Sequence, residues 1–255
     1  MSFAAQLTRM IVLEALRSRL AWVALVIVGA AFGVAQFLSR VALIESDQIQ
    51  AALVAALLRA SGSFLVATFV ITSMVREAND KVAELLLSQA ASRWNYLVAK
   101  IGGYSLVAFL IAAGFALPLF ALCKPANVVL WTVSFACELF IVGAVSLFCV
   151  LSLAQVLPAF AATAGFYILA RSMQAMQAIA AAPLSPAAGW ADSLVKGTVN
   201  AIALVMPGLD RFALTRWLID SPPSGAELGH VLSQTAVYVG LISAASLFDL
   251  YRKNY

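Results

Sequence analysis

Charge is scarce in this chain. Only 11% of its 255 residues are Asp, Glu, Lys or Arg, against roughly 25% in a soluble domain. That shortage excludes an ordinary soluble fold. Histidine occurs once, at His230, and cysteine three times, at Cys123, Cys137 and Cys149. None has a partner at metal-ligand spacing, so the cysteines read as small packing residues. The phosphate-cradling loop G-x-x-x-x-G-K-[ST] is absent, which removes the usual route to ATP hydrolysis by this chain. A membrane-embedded enzyme needs convergent acids, histidines or a serine with a base, and those are in short supply here.

Apolar residues are abundant. They make up 63% of the chain, and the mean hydropathy is +0.96. The composition predicts an integral membrane protein of the all-α class. The net charge of +4 fits basic segments beside a membrane and does not suggest nucleic acid. No cleavable signal peptide is expected, because the first apolar run begins only at Leu20.

In chain order, residues 1–19 carry Arg9, Glu14, Arg17 and Arg19 beside Ile11, Leu13 and Leu16, which reads as an amphipathic interfacial helix. Six spans are expected at 20–38, 57–75, 101–122, 128–150, 157–175 and 228–247. The first is an uncharged run, and Trp22 near its start suits an interface. The second begins near Leu57 and places Arg59 at the outer interface, snorkelling outward. Gly102, Gly103 and Gly114 in the third allow close helix contact. Residues 128–170 are apolar with one acid, Glu138, and at about 65 Å of helix they need dividing into two spans. Ser152, Gln155 and Pro158 mark the division. Residues 176–227 form a long external connection, in which 194–206 is apolar but too short to span and reads as re-entrant or interfacial.

The charge is concentrated between spans two and three, over residues 75–100, with Arg76, Glu77, Asp80, Lys81, Glu84, Arg93 and Lys100. Val82, Leu85, Leu86 and Gln89 share one helical face. Glu77 precedes Lys81 by four residues, the favourable order for an ion pair, and Asn79 or Asp80 suits an N-cap. The apolar side of such a helix needs a cover, whether lipid, the protein's own core or a soluble partner. With both termini inside, nine of the sixteen basic residues face the cytoplasm near span ends, as the positive-inside rule favours.

Three further features have a chemical reading and a plainer one. Glu138 is a candidate to contact substrate or carry a proton in the transport path; alternatively it pairs within the fold. His230 reads as a satisfied interfacial histidine in preference to a metal ligand. Met173, Met176 and Met206 invite a copper reading, but Met173 and Met176 are three residues apart on a helix and read as packing in preference to ligands. Asp210, Arg211 and residues 216–220 read as a solvated external face.

Residues 77–100 resemble the permease subunits of ABC-2 type ATP-binding cassette transporters. That family commonly reads E-x-x-x-G-T-x-E-L-L-L-x-x-P-x-S-R-x-x-Y-L-L-x-K between spans two and three. Here Glu77, Glu84-Leu85-Leu86-Leu87, Ser92-Arg93, Tyr96 and Lys100 match at that spacing. Lys81-Val82 replaces Gly-Thr, and Ala90 replaces the proline. Residues 14–20 are similar to the family's N-terminal helix, and the six-span layout covers the chain.

The resemblance implies a permease that works as a pair and is not catalytic by itself, in the inner membrane with both termini cytoplasmic. A separate ATP-binding cassette ATPase subunit would hold ATP and magnesium, so no cofactor or metal is expected on this chain. The segment around 80–88 would be the coupling helix, with Leu85 and Leu86 as buried anchors. Glu77, Asp80, Lys81, Glu84 and Arg93 would form the rim or brace the helix, and Glu14, Arg17 and Arg19 would rest on the same partner. The remaining partners would be a second permease copy and membrane lipids. A proton-coupled secondary transporter working through Glu138 is the alternative.

Overall fold

The computed structural model describes residues 3–41, 46–80, 93–181, 189–219 and 222–252. Helix dominates throughout, and no strand occurs among the described residues. The helices are α1 (Phe3–Arg17), α2 (Arg19–Val41), α3 (Ser46–Asn79), α4 (Arg93–Phe120), α5 (Pro125–Leu153), α6 (Val156–Ala181), α7 (Gly189–Val205), α8 (Arg216–Ile219) and α9 (Gly225–Arg252). A 3-10 turn at Leu209–Arg211 precedes α8. Six of them, α2 to α6 and α9, are long and apolar enough to cross a membrane. In lipid the helix satisfies its own backbone polar groups, so apolar runs of this length take that form. This is the layout of a multi-pass membrane protein.

Local chemistry sets the boundaries. Ser18 separates α1 from α2, and its hydroxyl accepts from the Leu20 amide at 3.1 Å, the pattern of an N-cap. Lys124 is extended and Pro125 opens α5, where a missing amide proton costs nothing. Ala154 ends α5 in the left-handed region, at φ 55°, and Pro158 falls in the first turn of α6. The division expected near 152–158 lies there. Ser224 and Glu227 exchange side-chain-to-amide bonds of 3.2 and 3.0 Å at the start of α9, a capping box.

Span two starts earlier than its apolar run suggests. α3 runs unbroken from Ser46 to Asn79, so Arg76 and Glu77 continue the spanning helix. Asp80 follows, its amide bonded to the Arg76 carbonyl.

α5 is the axis of the bundle. Of its most apolar window, 78% is buried, against 11% for α2 and 17% for α9. It packs on α3, α4, α6 and α9. Gly62 lets α3 approach α5 closely, since a Cβ there would lie 2.6 Å from the Phe135 ring. Gly103 does the same for α1 on α4, with Ile11 at 2.6 Å. A Cβ at Gly114 would meet nothing within 4 Å. α1 buries Leu7, Ile11 and Ala15 and leaves Met10 and Leu16 exposed.

Candidate functional site

Two polar clusters hold the ends of the bundle. The first lies where α1, α3 and α4 meet. Lys100, 4% exposed, pairs with Glu77, 11% exposed. Such burial makes this pair costly to break, because either partner alone would be an uncompensated charge. Tyr96 donates to the same carboxylate at 3.1 Å, and the ammonium lies over the Tyr96 and Tyr104 rings at 5.7 and 5.6 Å. Next to it, Glu14 of α1 pairs with Arg76 and accepts from Ser73 at 3.0 Å. Arg93, at the start of α4, donates to the carbonyls of Leu250 and Tyr251 at 2.7 and 3.2 Å. It therefore caps α9, where a cation also suits the negative end of a helix.

Glu77, Tyr96, Lys100 and Arg93 are thus engaged within the fold, and Glu77 and Lys100 are drawn together. Asp80 is exposed, as are Arg17 and Arg19. Lys81, Glu84, Leu85 and Leu86 lie outside the described residues. The segment that contains them is not described, but the residues on either side of it, Asp80 and Arg93, are.

The second cluster is at the opposite end. Glu138 is fully buried in α5 and accepts from the Tyr167 hydroxyl at 3.0 Å. Arg171 lies 3.4 Å from the same carboxylate oxygen. Arg171 also donates to the carbonyls of Leu209 and Phe212 at 2.6 and 3.3 Å. Arg59 and Trp131 both donate to the Ala213 carbonyl, at 2.8 and 3.0 Å, and the Ala213 amide donates to Ser134 at 2.9 Å. Ala213 has φ 45°, a conformation costly for a side chain and held here by bonds from two spans, α3 and α5.

Leu209, Phe212, Ala213, Trp217 and Leu218 are all buried. Residues 209–218 therefore form a plug seated in the bundle. The expectation that Asp210, Arg211 and 216–220 form a solvated face holds for the exposed Arg211 and Arg216 but fails at Trp217 and Leu218, which are buried. Arg59 is turned to the plug carbonyl, a role the sequence reading did not anticipate. Its only sequence signal was an arginine inside an apolar run.

A polar recess of about 510 Å³ sits beside the plug, with Arg211 3.4 Å from His230 and Arg216 paired to Glu227. An apolar cavity of about 180 Å³ lies between α3, α5 and α6 and is edged by Ser63 and Tyr167. At the first cluster, a longer groove of about 340 Å³ runs between α2 and α3. The chain matches no protein-family model and no curated protein.

Proposed function

We propose that this chain is the permease subunit of an ATP-driven ABC-2 type exporter, working in the inner membrane with both termini cytoplasmic. The chain is not itself catalytic. A separate ATPase subunit supplies ATP hydrolysis, and a second permease copy completes the transporter.

The observation that supports this most is the way the ends of the 81–92 segment are anchored. One end follows Asp80, three residues after Glu77, which is tied to Tyr96 and Lys100 of α4. The other enters α4 at Arg93, which is tied to the end of α9. A force on the segment therefore reaches two spans at once and a third through Arg93. Arg76 extends the connection to α1 through Glu14. A coupling element needs a base that does not yield, and these ties supply one.

The anchors within the segment are Leu85 and Leu86, because buried apolar side chains dominate interfaces and rim charges add less. Replacing both with Asp is expected to release the ATPase while the permease still inserts. Equal ATPase retention by native and L85D/L86D permease in mild detergent would remove this segment as the contact.

A further inference from the structure

The groove between α2 and α3 has a polarity gradient along its length. At one end lie Arg19, Arg76 and Glu14, beside the junction of α1 and α2. The mouth thus carries two cations and one anion. Further in, the wall is made of Val23, Leu65, Phe69 and Phe64. Thr68 and Thr72 also line it, but their hydroxyls donate to the carbonyls of Phe64 and Thr68, four residues back, at 2.8 and 2.7 Å. Their donor protons are thereby used within the helix. This wall suits hydrocarbon better than a sugar or peptide.

Length adds a second constraint. Arg76 and Phe64 are twelve residues apart on α3, about 18 Å of helix. One leaflet of hydrocarbon is roughly 15 Å deep. The groove therefore runs from an interfacial cationic mouth to about the bilayer midplane. There Phe64 meets Phe160 edge-to-face, with ring centroids 5.3 Å apart, which closes the inner end against the α3–α5–α6 cavity that both rings also line.

We propose that this groove binds an anionic amphiphile from the leaflet beside α1, with its headgroup at Arg19 and Arg76 and one acyl chain lying along α3 as far as Phe64. The chain fills an apolar wall that α2 leaves largely open, and the headgroup meets the excess positive charge at the mouth. If the exporter reading holds, this groove is a loading site and the cargo class is an anionic amphiphile; binding itself does not rest on that reading.

The test uses the purified full-length permease in phosphatidylcholine vesicles, without ATPase or nucleotide. Each preparation carries a trace of phosphatidylglycerol or phosphatidylcholine with the same mid-chain diazirine. After irradiation, labelled positions are mapped by mass spectrometry. The phosphatidylglycerol probe is expected to label α3 between Phe64 and Thr72 more than the phosphatidylcholine probe does. Arg19→Gln should reduce that preference about fivefold, as expected for one basic side chain at an anionic headgroup, and should leave the Glu14–Arg76 pair in place. Lys124→Gln, in the turn at the other end of α4, should leave the preference unchanged. Equal labelling by the two probes, or a preference that survives Arg19→Gln, would overturn the proposal. Either result is separate from whether an ATPase co-purifies, so failure of the lipid site and failure of the exporter reading can be told apart.

Discussion

At the scale of single residues, the most consequential is Arg171. It faces a fully buried carboxylate and two plug carbonyls. Removing it leaves Glu138 without its cation and the Leu209 carbonyl without that donor. Arg171→Ala is therefore expected to destabilise the protein by about 3 kcal/mol or more, the usual cost of breaking a buried pair. The plug should loosen with it, so trypsin applied from the side of the membrane that carries the plug should cut sooner after Arg211 and Arg216. Native cleavage rates and an unchanged Tm would show that Arg171 does not hold the plug. Glu138→Gln keeps the Tyr167 bond and removes the charge, so it should be milder than Arg171→Ala by the same two readouts.

Cys123 gives a pH-dependent prediction at this scale. It lies in the turn between α4 and α5, and burial pushes its thiol up from the ordinary value. Thiolate is the reactive form. In a Cys137→Ala/Cys149→Ala background, labelling by a membrane-impermeant maleimide should be slow at neutral pH. It should reach half its maximal rate only above pH of about 8.5, where a free thiol is half ionised. A half-maximal rate at that pH would show an unperturbed thiol.

At the scale of elements, α1 depends on one close approach. Ile11 occupies the space that a side chain at Gly103 would need. Gly103→Leu is expected to lift α1 from α4 at a cost of about 1–3 kcal/mol, typical of overpacking. The Glu14–Arg76 pair would part, and trypsin would reach Arg9 and Arg17 faster. Gly114→Leu, with open space around the site, should leave α1 protected. Equal protection in both variants would mean that α1 is not seated through Gly103.

The elements also show what the sequence made legible. The long apolar runs at 20–38 and 101–122 predicted spans because a membrane leaves helix as the economical choice for such segments. The break after α5 was readable from Ser152, Gln155 and Pro158, residues that interrupt an apolar run. The plug was not readable. Its buried Leu209, Phe212 and Trp217 alternate with Asp210, Arg211 and Arg216, so no periodic face emerges. Its carbonyls are satisfied by Arg59, Trp131 and Arg171, which are distant in sequence. For the same reason the engagement of Arg93 with α9 could not be read from residues 75–100 alone. The Glu77–Lys100 pair joins the end of one helix to the first turns of the next, and the resemblance marked both residues without saying that they meet.

At the scale of the whole molecule, charge and burial divide the bundle into two ends. One end gathers α1, the end of α3, the start of α4 and the end of α9 through Glu14, Glu77, Arg93 and Lys100. The other carries the plug held by Arg59, Trp131 and Arg171. α5 connects the two as the buried axis. An exporter needs such a division: a driven end that receives force and a closed end that opens to release cargo.

The central claim is that a separate ATPase drives the first of these ends. The most direct measurement is gentle affinity purification of the tagged native protein, followed by mass spectrometry of what accompanies it. A near-stoichiometric ATPase carrying the G-x-x-x-x-G-K-[ST] loop is the predicted result. Its absence, with the permease oligomer intact, would contradict the account and shift the reading to a proton-coupled carrier that works through Glu138.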